Sequence, residues 1–521
     1  MMKGNQLQIA MSHINSNEKS LEYDRLFKIV NILSKEVKQE EDNLYRVLLG
    51  GLSAFTAEPL NMRILAPASE GKTYLLEKVS HLFPTENVMK LSSASPTSFK
   101  YSLGTTMVEE KGELIPLSSK MQSFVNGLDE EDKEYKKKIA EERKKLEKNA
   151  WTMIDWEDKW LIFLDSQNAA LWEFFKSVLS NDTELIKHQV TNKQSGSHKQ
   201  QRIVIRGKPS VTYASAKDEA RRDVTSEIDT RFQTISLQAN AKKYKESINL
   251  IGKHFGLVGP LYEKEVISKE EIVEARSKIS AIIQTLKQYR GITRPILNPF
   301  SEEMSKVFPT ETGSRQRQFQ RMMRTSNLLT LCNADNRCKL EMNGVKYPIT
   351  NLKDVSQAAK LIIENSGIPG HKIQTFNEVI KPSIDEFGVE LRVEDNNLSV
   401  QTASEILEQY KERRENSYSR KQLLETYLIP LSQHGFLGRT QDPRNKTRDV
   451  FWIPERFQDE DATVESTLFD TSTLDDSCVT SFVKEHIISR LKNKEYQFYN
   501  TNDEKISVEE IPKEVTKIDI D

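Results

Sequence analysis

Eight consecutive residues carry the clearest chemistry in this chain: Ala66-Pro67-Ala68-Ser69-Glu70-Gly71-Lys72-Thr73. The apolar positions Met62, Ile64 and Leu65 precede them, and a helical pattern, Tyr74 to Val79, follows. A strand, a loop and a helix in that order let the N–H groups of the loop and the first helical turn converge on an anion. The spacing is that of a phosphate-binding P-loop, with Ala66 where the pattern commonly has its first Gly. In such a loop Ser69, Glu70 and Gly71 form the cradle, Lys72 reaches the β- and γ-phosphates, and the Thr73 hydroxyl can hold Mg²⁺. The bland alternative is an ordinary helix N-terminus with a solvated lysine. It leaves the apolar strand directly before the loop unexplained.

Hydrolysis of a nucleotide needs more groups than the loop. The run Trp160-Leu161-Ile162-Phe163-Leu164 ends in Asp165, an acid placed to organise Mg²⁺ at a strand's carboxyl end. Ser166 follows, where many ATPases have a Glu that orients the attacking water; Asn168 or Glu173 could assist instead, or turnover could be slow. Val211-Thr212-Tyr213-Ala214 ends in the hydroxyl of Ser215, a candidate for the γ-phosphate. Arg231, within Asp229-Thr230-Arg231-Phe232, is a candidate to stabilise phosphoryl charge from a neighbouring subunit. Arg315, Arg317 and Arg321 compete for the role of a lid arginine, and the sequence does not choose among them.

These groups need a frame. From about 66 to 240 short apolar strands alternate with helices, which predicts an α/β fold with a parallel sheet covered on both faces. The expected strands are Met62–Leu65, Val88–Leu91, Trp160–Leu164, Ile203–Ile205, Val211–Ala214 and Phe232–Leu237. Amphipathic helices occupy residues 20–56, and 241–365 reads as helical. A Glu/Lys/Arg-rich stretch, about 125–150, reads as a solvated helix held by i,i+4 ion pairs, with a DNA-contact arm as the sharper alternative.

The chain has 521 residues, 37% of them hydrophobic and 29% charged, which suggests two to four domains. A net charge of −2 means any nucleic-acid surface must be local. Cys332, Cys338 and Cys478 lack the spacing of a disulfide framework or a zinc site. The polar N-terminus has no apolar core of a signal peptide, and no window approaches the ~18 apolar residues of a membrane helix. The expectation is a cytoplasmic protein without membrane contact.

Residues 401–456 carry a separate pattern. A helix at Thr402–Lys411 is followed by a second at Ser419–Leu431, by Gly435-Phe436-Leu437-Gly438, and by two strands joined through Asp442-Pro443-Arg444-Asn445-Lys446. Arg420, Lys421, Arg439, Arg444, Lys446 and Arg448 make the unit locally basic, as a helix in the major groove and a wing on phosphates would require. The alternative is a unit of the same shape used for protein contacts.

Taken in order, P-loop, acidic strand, polar strand end, Thr-Arg-Phe and helical segment, the first two-thirds of the chain resembles the AAA+ ATPases. More narrowly it resembles helicase-like ATPases of archaea, viruses and mobile elements, often linked to primases. Leu179-Ser180-Asn181-Asp182, Ile205-Arg206-Gly207-Lys208-Pro209 and Glu227-Ile228-Asp229-Thr230-Arg231-Phe232 carry that likeness over about 25–365. Residues 401–456 resemble winged helix-turn-helix domains. Composition marks a connector (366–400) and an acidic linker and tail (457–521) with a small helix at Val479–Leu491; the resemblance implies an N-terminal helical segment (1–50), an ATPase core (51–240), a helical lid (241–365) and the winged helix (401–456). It further implies ATP and Mg²⁺ as ligands, DNA as partner and a homo-oligomeric ring. The implied activity is that of a DNA helicase or translocase in replication; an ATP-switched initiator or loader with slow turnover is the alternative.

Overall fold

The computed structural model describes residues 25–66, 69–92, 104–127, 134–165, 167, 169–180, 185–192, 199–215, 231–237, 241–308, 313–363, 372, 375–393, 396–413, 418–433, 436–454, 474–491 and 495–517. Five short strands form a wholly parallel sheet: β1 (Met62–Leu65), β2 (Val88–Leu91), β3 (Trp160–Phe163), β4 (Ser210–Ser215) and β5 (Gln233–Ser236). Their order is β5-β1-β4-β3-β2. The three central strands are buried along their whole length, the polar Arg63, Ser210, Thr212 and Ser215 included.

One face of this sheet is covered by the helices Arg25–Leu33, Glu41–Ser53 and Lys72–Ser80, whose Leu26, Leu44, Leu48, Leu75 and Leu76 pack with Ile64 and Ile162. The helix Glu41–Ser53 lies directly on the strands. A Cβ at Gly50 would stand 2.7 Å from the Met62 sulfur, and one at Gly51 2.9 Å from the Trp160 ring. The other face is covered by Ala169–Ser180, where Trp172 and Phe175 pack against Phe163, Tyr213 and Phe232.

The expected core strand Ile203–Ile205 is not in this sheet. It belongs to Lys199–Arg206 of a second, mixed five-stranded sheet with Glu113–Pro116, Thr105–Glu110, Trp151–Asp155 and Leu185–Asn192. An apolar run reveals burial but not the sheet that buries it. The chain leaves this sheet for β4 at Gly207, whose φ is +88° and whose Cβ would meet the Glu157 backbone nitrogen at 2.4 Å. The charged helix Tyr135–Glu147 belongs to this insertion; it has no buried residue and carries Glu134–Lys137, Glu142–Lys145 and Arg143–Glu147 pairs.

Beyond β5 come the helices Ala241–Gly256, Lys269–Arg290, Ser301–Val307, Gly313–Cys332 and Leu352–Ile363. Between the last two lies a hairpin, Lys339–Met342 with Val345–Pro348, which the helical expectation missed. The tail also departs from expectation. Strand Tyr496–Tyr499 pairs antiparallel with Lys339–Met342, and Val479, Val483, Ile487, Phe498, Ile511 and Val515 enter the same core as the N-terminal helices. The small helix expected at Val479–Leu491 is present, running from Asp476 to Ile488, but acidic and Ser/Thr residues dominate the composition around it and conceal that the segment packs into a core.

The 366–400 connector likewise contains structure from Phe376 onward: a helix through Phe387 and the strands Val389–Val393 and Asn396–Thr402. These join the helix Ala403–Arg413, the helical run Arg420 to Gln433 and the strands Gly438–Asp442 and Asn445–Trp452. Phe376, Ile380, Ile406, Leu423, Leu428 and Phe451 share one core, separate from that of the parallel sheet. No helix among the described residues is long and apolar enough to cross a membrane.

Candidate functional site

In a parallel sheet every strand delivers its last residue to one edge, and open α/β sheets bind ligands there. The loop after β1 turns into the helix Lys72–Ser80 with two residues in the left-handed region, Ser69 at φ 70° and Gly71 at φ 85°. Gly71 supplies this conformation without steric cost and faces open space, with nothing within 4 Å of a would-be Cβ. Ser69 has a Cβ, and holding it there costs on the order of 1–3 kcal/mol, a strain typical of ligand clamps. The Lys72 ammonium folds back to the Ala66 carbonyl at 2.7 Å. Burial pulls its pKa down, while the carboxylates of Glu70 and Asp165 hold it up.

Asp165 is exposed at the end of β3, and Ser215 is buried at the end of β4, the strand between β3 and β1. Ser215 is level with Leu65, and its carbonyl accepts the Ala66 N–H at 3.4 Å. Lys72, Asp165 and Ser215, predicted separately from three apolar runs, therefore meet at one edge. Thr73 is exposed on the first turn beside them. Ser166 and Asn168 lie outside the described residues; Glu173 is exposed on the helix Ala169–Ser180.

The loop is also held from outside, by groups that sequence reasoning missed. Lys243, buried at the start of the helix Ala241–Gly256, donates to Glu40 Oε1 at 2.7 Å and to the Glu70 carbonyl at 3.1 Å, with the Glu70 carboxylate 3.6 Å away. The Tyr244 hydroxyl donates to Glu70 Oε1 at 2.7 Å. Glu40 in turn accepts from Asn43, which also reaches the Ser236 carbonyl and accepts from Arg46. These partners are up to 203 positions apart in the chain, so no local spacing announces them.

The arginines divide. Arg231 precedes β5, at the amino edge of the sheet, and its Nη1 donates to the Lys176 carbonyl at 2.6 Å. The length of the strand, roughly 13 Å for four residues, separates it from the loop after β1. Arg315 is buried and donates to Gln318. Burial pushes the Arg321 pKa down to about 10, and the like charges of Arg63, Arg317 and Arg324 add to it. Arg63 is the second residue of β1, and Arg324 pairs with Glu58, before that strand.

In the C-terminal unit, Arg420, Lys446 and Arg448 line one open cleft of about 200 Å³, together with Gln441 and Asp449. Arg420 and Lys446 are exposed. The other basic residues hold carboxylates. Arg444 and Arg448 both bind the buried Asp442, at 3.0 and 2.8 Å; Arg439 binds Asp449 at 2.6 Å and Lys421 stands 3.8 Å from Glu425. The Arg444 guanidinium, with its backbone N–H and Arg448, draws the Asp442 pKa down to about 2. Asp442 was legible as a turn residue, but its role as a clamp on two arginines was not.

Compared with known proteins, the chain matches no family model and no curated protein sequence.

Proposed function

We propose that the chain is an ATPase of the AAA+ kind that acts on DNA, a helicase or translocase in replication working as a homo-oligomeric ring. The observation that carries this reading is the meeting of Lys72, Asp165 and Ser215 on three adjacent parallel strand ends, beside a loop with Ser69 and Gly71 in the left-handed region. The polar strand end lies between the loop strand and the acidic strand, where a group serving the γ-phosphate is needed. The donor set fits a magnesium nucleotide: loop N–H groups and the Lys72 ammonium for phosphate oxygens, and the Thr73 hydroxyl with the Asp165 carboxylate for Mg²⁺. Bound Mg²⁺ would neutralise phosphate charge. To receive a phosphate, Lys72 would release the Ala66 carbonyl. Asp165, exposed beside it, would also orient the attacking water in this reading.

Arg231 completes a neighbour's site in this reading, since it lies at the edge opposite its own loop. The C-terminal unit would act as a winged helix whose cleft, between Arg420 and Lys446, takes the DNA backbone. A primase or other replication protein is a further partner, and the cytoplasm the compartment, under the same resemblance. One observation favours a second reading, an initiator or loader that uses ATP occupancy as a slow switch: Ser166 stands where a water-orienting Glu would be. DNA-stimulated ATPase and strand-displacement assays on one purified sample separate the two. Fast stimulated hydrolysis with unwinding identifies the motor, slow hydrolysis with nucleotide-dependent DNA binding identifies the switch, and absence of nucleotide binding removes both.

A further inference from the structure

The helical run from Asp476 to Ile488 turns Val479, Val483 and Ile487 into the core and carries Glu485 and His486 to the helix Ser301–Val307. Three potential metal ligands meet there: one carboxylate oxygen each from Glu302 and Glu485 and a ring nitrogen of His486 lie within 4.8 Å of one another. Among the described residues no other group of His, Cys, Asp and Glu side chains gathers in this way. Neighbouring Glu303 takes Lys306 at 2.9 Å, while Glu302 and Glu485 pair with no lysine or arginine among the described residues. The His486 ring lies against Phe482, with 4.7 Å between centroids, and its side chain is 17% exposed. Its Nε2 stands 2.7 Å from Glu302 Oε1, yet this nitrogen is buried without a hydrogen bond among the described residues. The carboxylate is near enough but off the line along which a ring nitrogen donates or accepts.

We propose that Glu302, Glu485 and His486 hold a Zn²⁺ ion, with water in its fourth position. The donor set selects the ion. An imidazole nitrogen disfavours Mg²⁺ and Ca²⁺, which take oxygen ligands, and carboxylates in place of thiolates disfavour Cu(I). One nitrogen and two carboxylate oxygens with an open position make a three-ligand zinc set. With bonds of about 2.0–2.2 Å, tetrahedral ligand atoms stand about 3.3–3.6 Å apart. Both glutamates are exposed, so their carboxylates can shift to that spacing, and the ion takes the unused axis of Nε2. The ligands come from two elements far apart in the chain: Glu302 follows the parallel sheet, and Glu485 and His486 follow the C-terminal unit. A shared ion therefore fastens the C-terminal helix to the helix Ser301–Val307, and its binding stabilises that docking by mass action. None of this depends on the nucleotide reading.

The test uses the full chain, stripped of metal with a chelator. Zn²⁺, and Mg²⁺ for comparison, are titrated by calorimetry into the wild type, His486→Gln and Glu302→Gln/Glu485→Gln, and each protein is melted with and without Zn²⁺. The expected result is a Zn²⁺ ion on the wild type that both variants bind at least about 10²-fold more weakly, since losing even an outer partner of a metal ligand costs about 10–100-fold. Zn²⁺ should raise the melting temperature of the wild type and not that of the variants. Co²⁺ in place of Zn²⁺ should give the wild type a visible absorption band that His486→Gln lacks. Should His486→Gln fail to fold, the double variant at the two exposed glutamates decides alone. Variants that bind Zn²⁺ like the wild type, or a wild type that binds none, overturn the proposal and leave an ion pair between His486 and Glu302. Mg²⁺ held at these residues as tightly as Zn²⁺ overturns it as well, because the imidazole would then select nothing.

Discussion

The carboxyl edge of the parallel sheet was singled out for its loop spacing and the hairpin expected to be a wing, Gly438–Asp442 with Asn445–Trp452, for its basic residues, and the fold treats the two differently. At the sheet edge the fold leaves the chemistry turned outward. Asp165 is exposed, and Lys72 holds a loop carbonyl it can exchange for a phosphate oxygen. On the wing, Arg439, Arg444 and Arg448 already hold the carboxylates of Asp449 and Asp442. An arginine that binds a carboxylate in place must give it up to bind a phosphate. A site marked by backbone spacing survives folding, whereas one marked by charge count is partly spent on neighbours that the count ignores.

The largest effect should come from the centre of the sheet edge. Lys72→Ala is expected to lower ATP turnover by on the order of 10²–10³ or more, the size seen when one preorganised phosphate or oxyanion donor is removed. Circular dichroism and melting should be unchanged, because the side chain's hydrogen bond is to an adjacent loop. Turnover at the wild-type rate in a folded variant would reduce the loop to an ordinary helix start. Asp165→Asn should follow closely, with Mg²⁺-dependent hydrolysis lost and nucleotide retained. Glu173→Gln is the sharpening control: it sits on the neighbouring helix, and if it alone abolishes hydrolysis, the catalytic acid has been misassigned.

Those two sites were legible because their signals are local. A loop between a buried strand and a helix, and an acid closing a buried strand, are properties of eight or nine consecutive residues. The parallel sheet followed from the same runs, except that Ile203–Ile205 proved to belong to another sheet, since burial on two faces looks alike in either. What was illegible is long-range. The Glu40–Lys243–Glu70 link joins residues on three separate elements, and the strand Tyr496–Tyr499 finds its partner at Lys339–Met342 across the whole C-terminal unit.

That link makes a prediction of intermediate size. Lys243→Met leaves the Glu40 carboxylate buried without its cation, and breaking a buried pair from one side costs about 3–5 kcal/mol. Chemical denaturation should show the loss, and Lys243→Arg should restore part of it. Because Lys243 also holds the Glu70 carbonyl, the KM for ATP should rise in the Met variant more than kcat falls. A destabilised variant with an unchanged KM would make the link a strut for the fold alone.

The smallest effects belong to the wing, and they are where the comparison can be turned into a measurement. If Arg420 and Lys446 are the side chains that meet DNA phosphates, replacing both with Ala should flatten the slope of log affinity against log salt by about 0.9 for each on duplex DNA. Arg444→Ala should leave that slope nearly unchanged, because its guanidinium is engaged by Asp442. Its effect should appear in acid instead. The Asp442 carboxyl has its pKa drawn down to about 2 in the folded chain, against about 3.9 for an unperturbed Asp. A lowered folded-state pKa stabilises the unit above the unfolded value and loses that contribution as the pH falls towards 2. The wild-type unit should therefore loosen between about pH 4 and pH 2, followed by the fluorescence of Trp452 beside Gly438, and Asp442→Asn should remove that part of the transition. An equal flattening of the salt slope by Arg444→Ala would mean that the clamp opens on DNA and that the wing's arginines are reserved for phosphate after all.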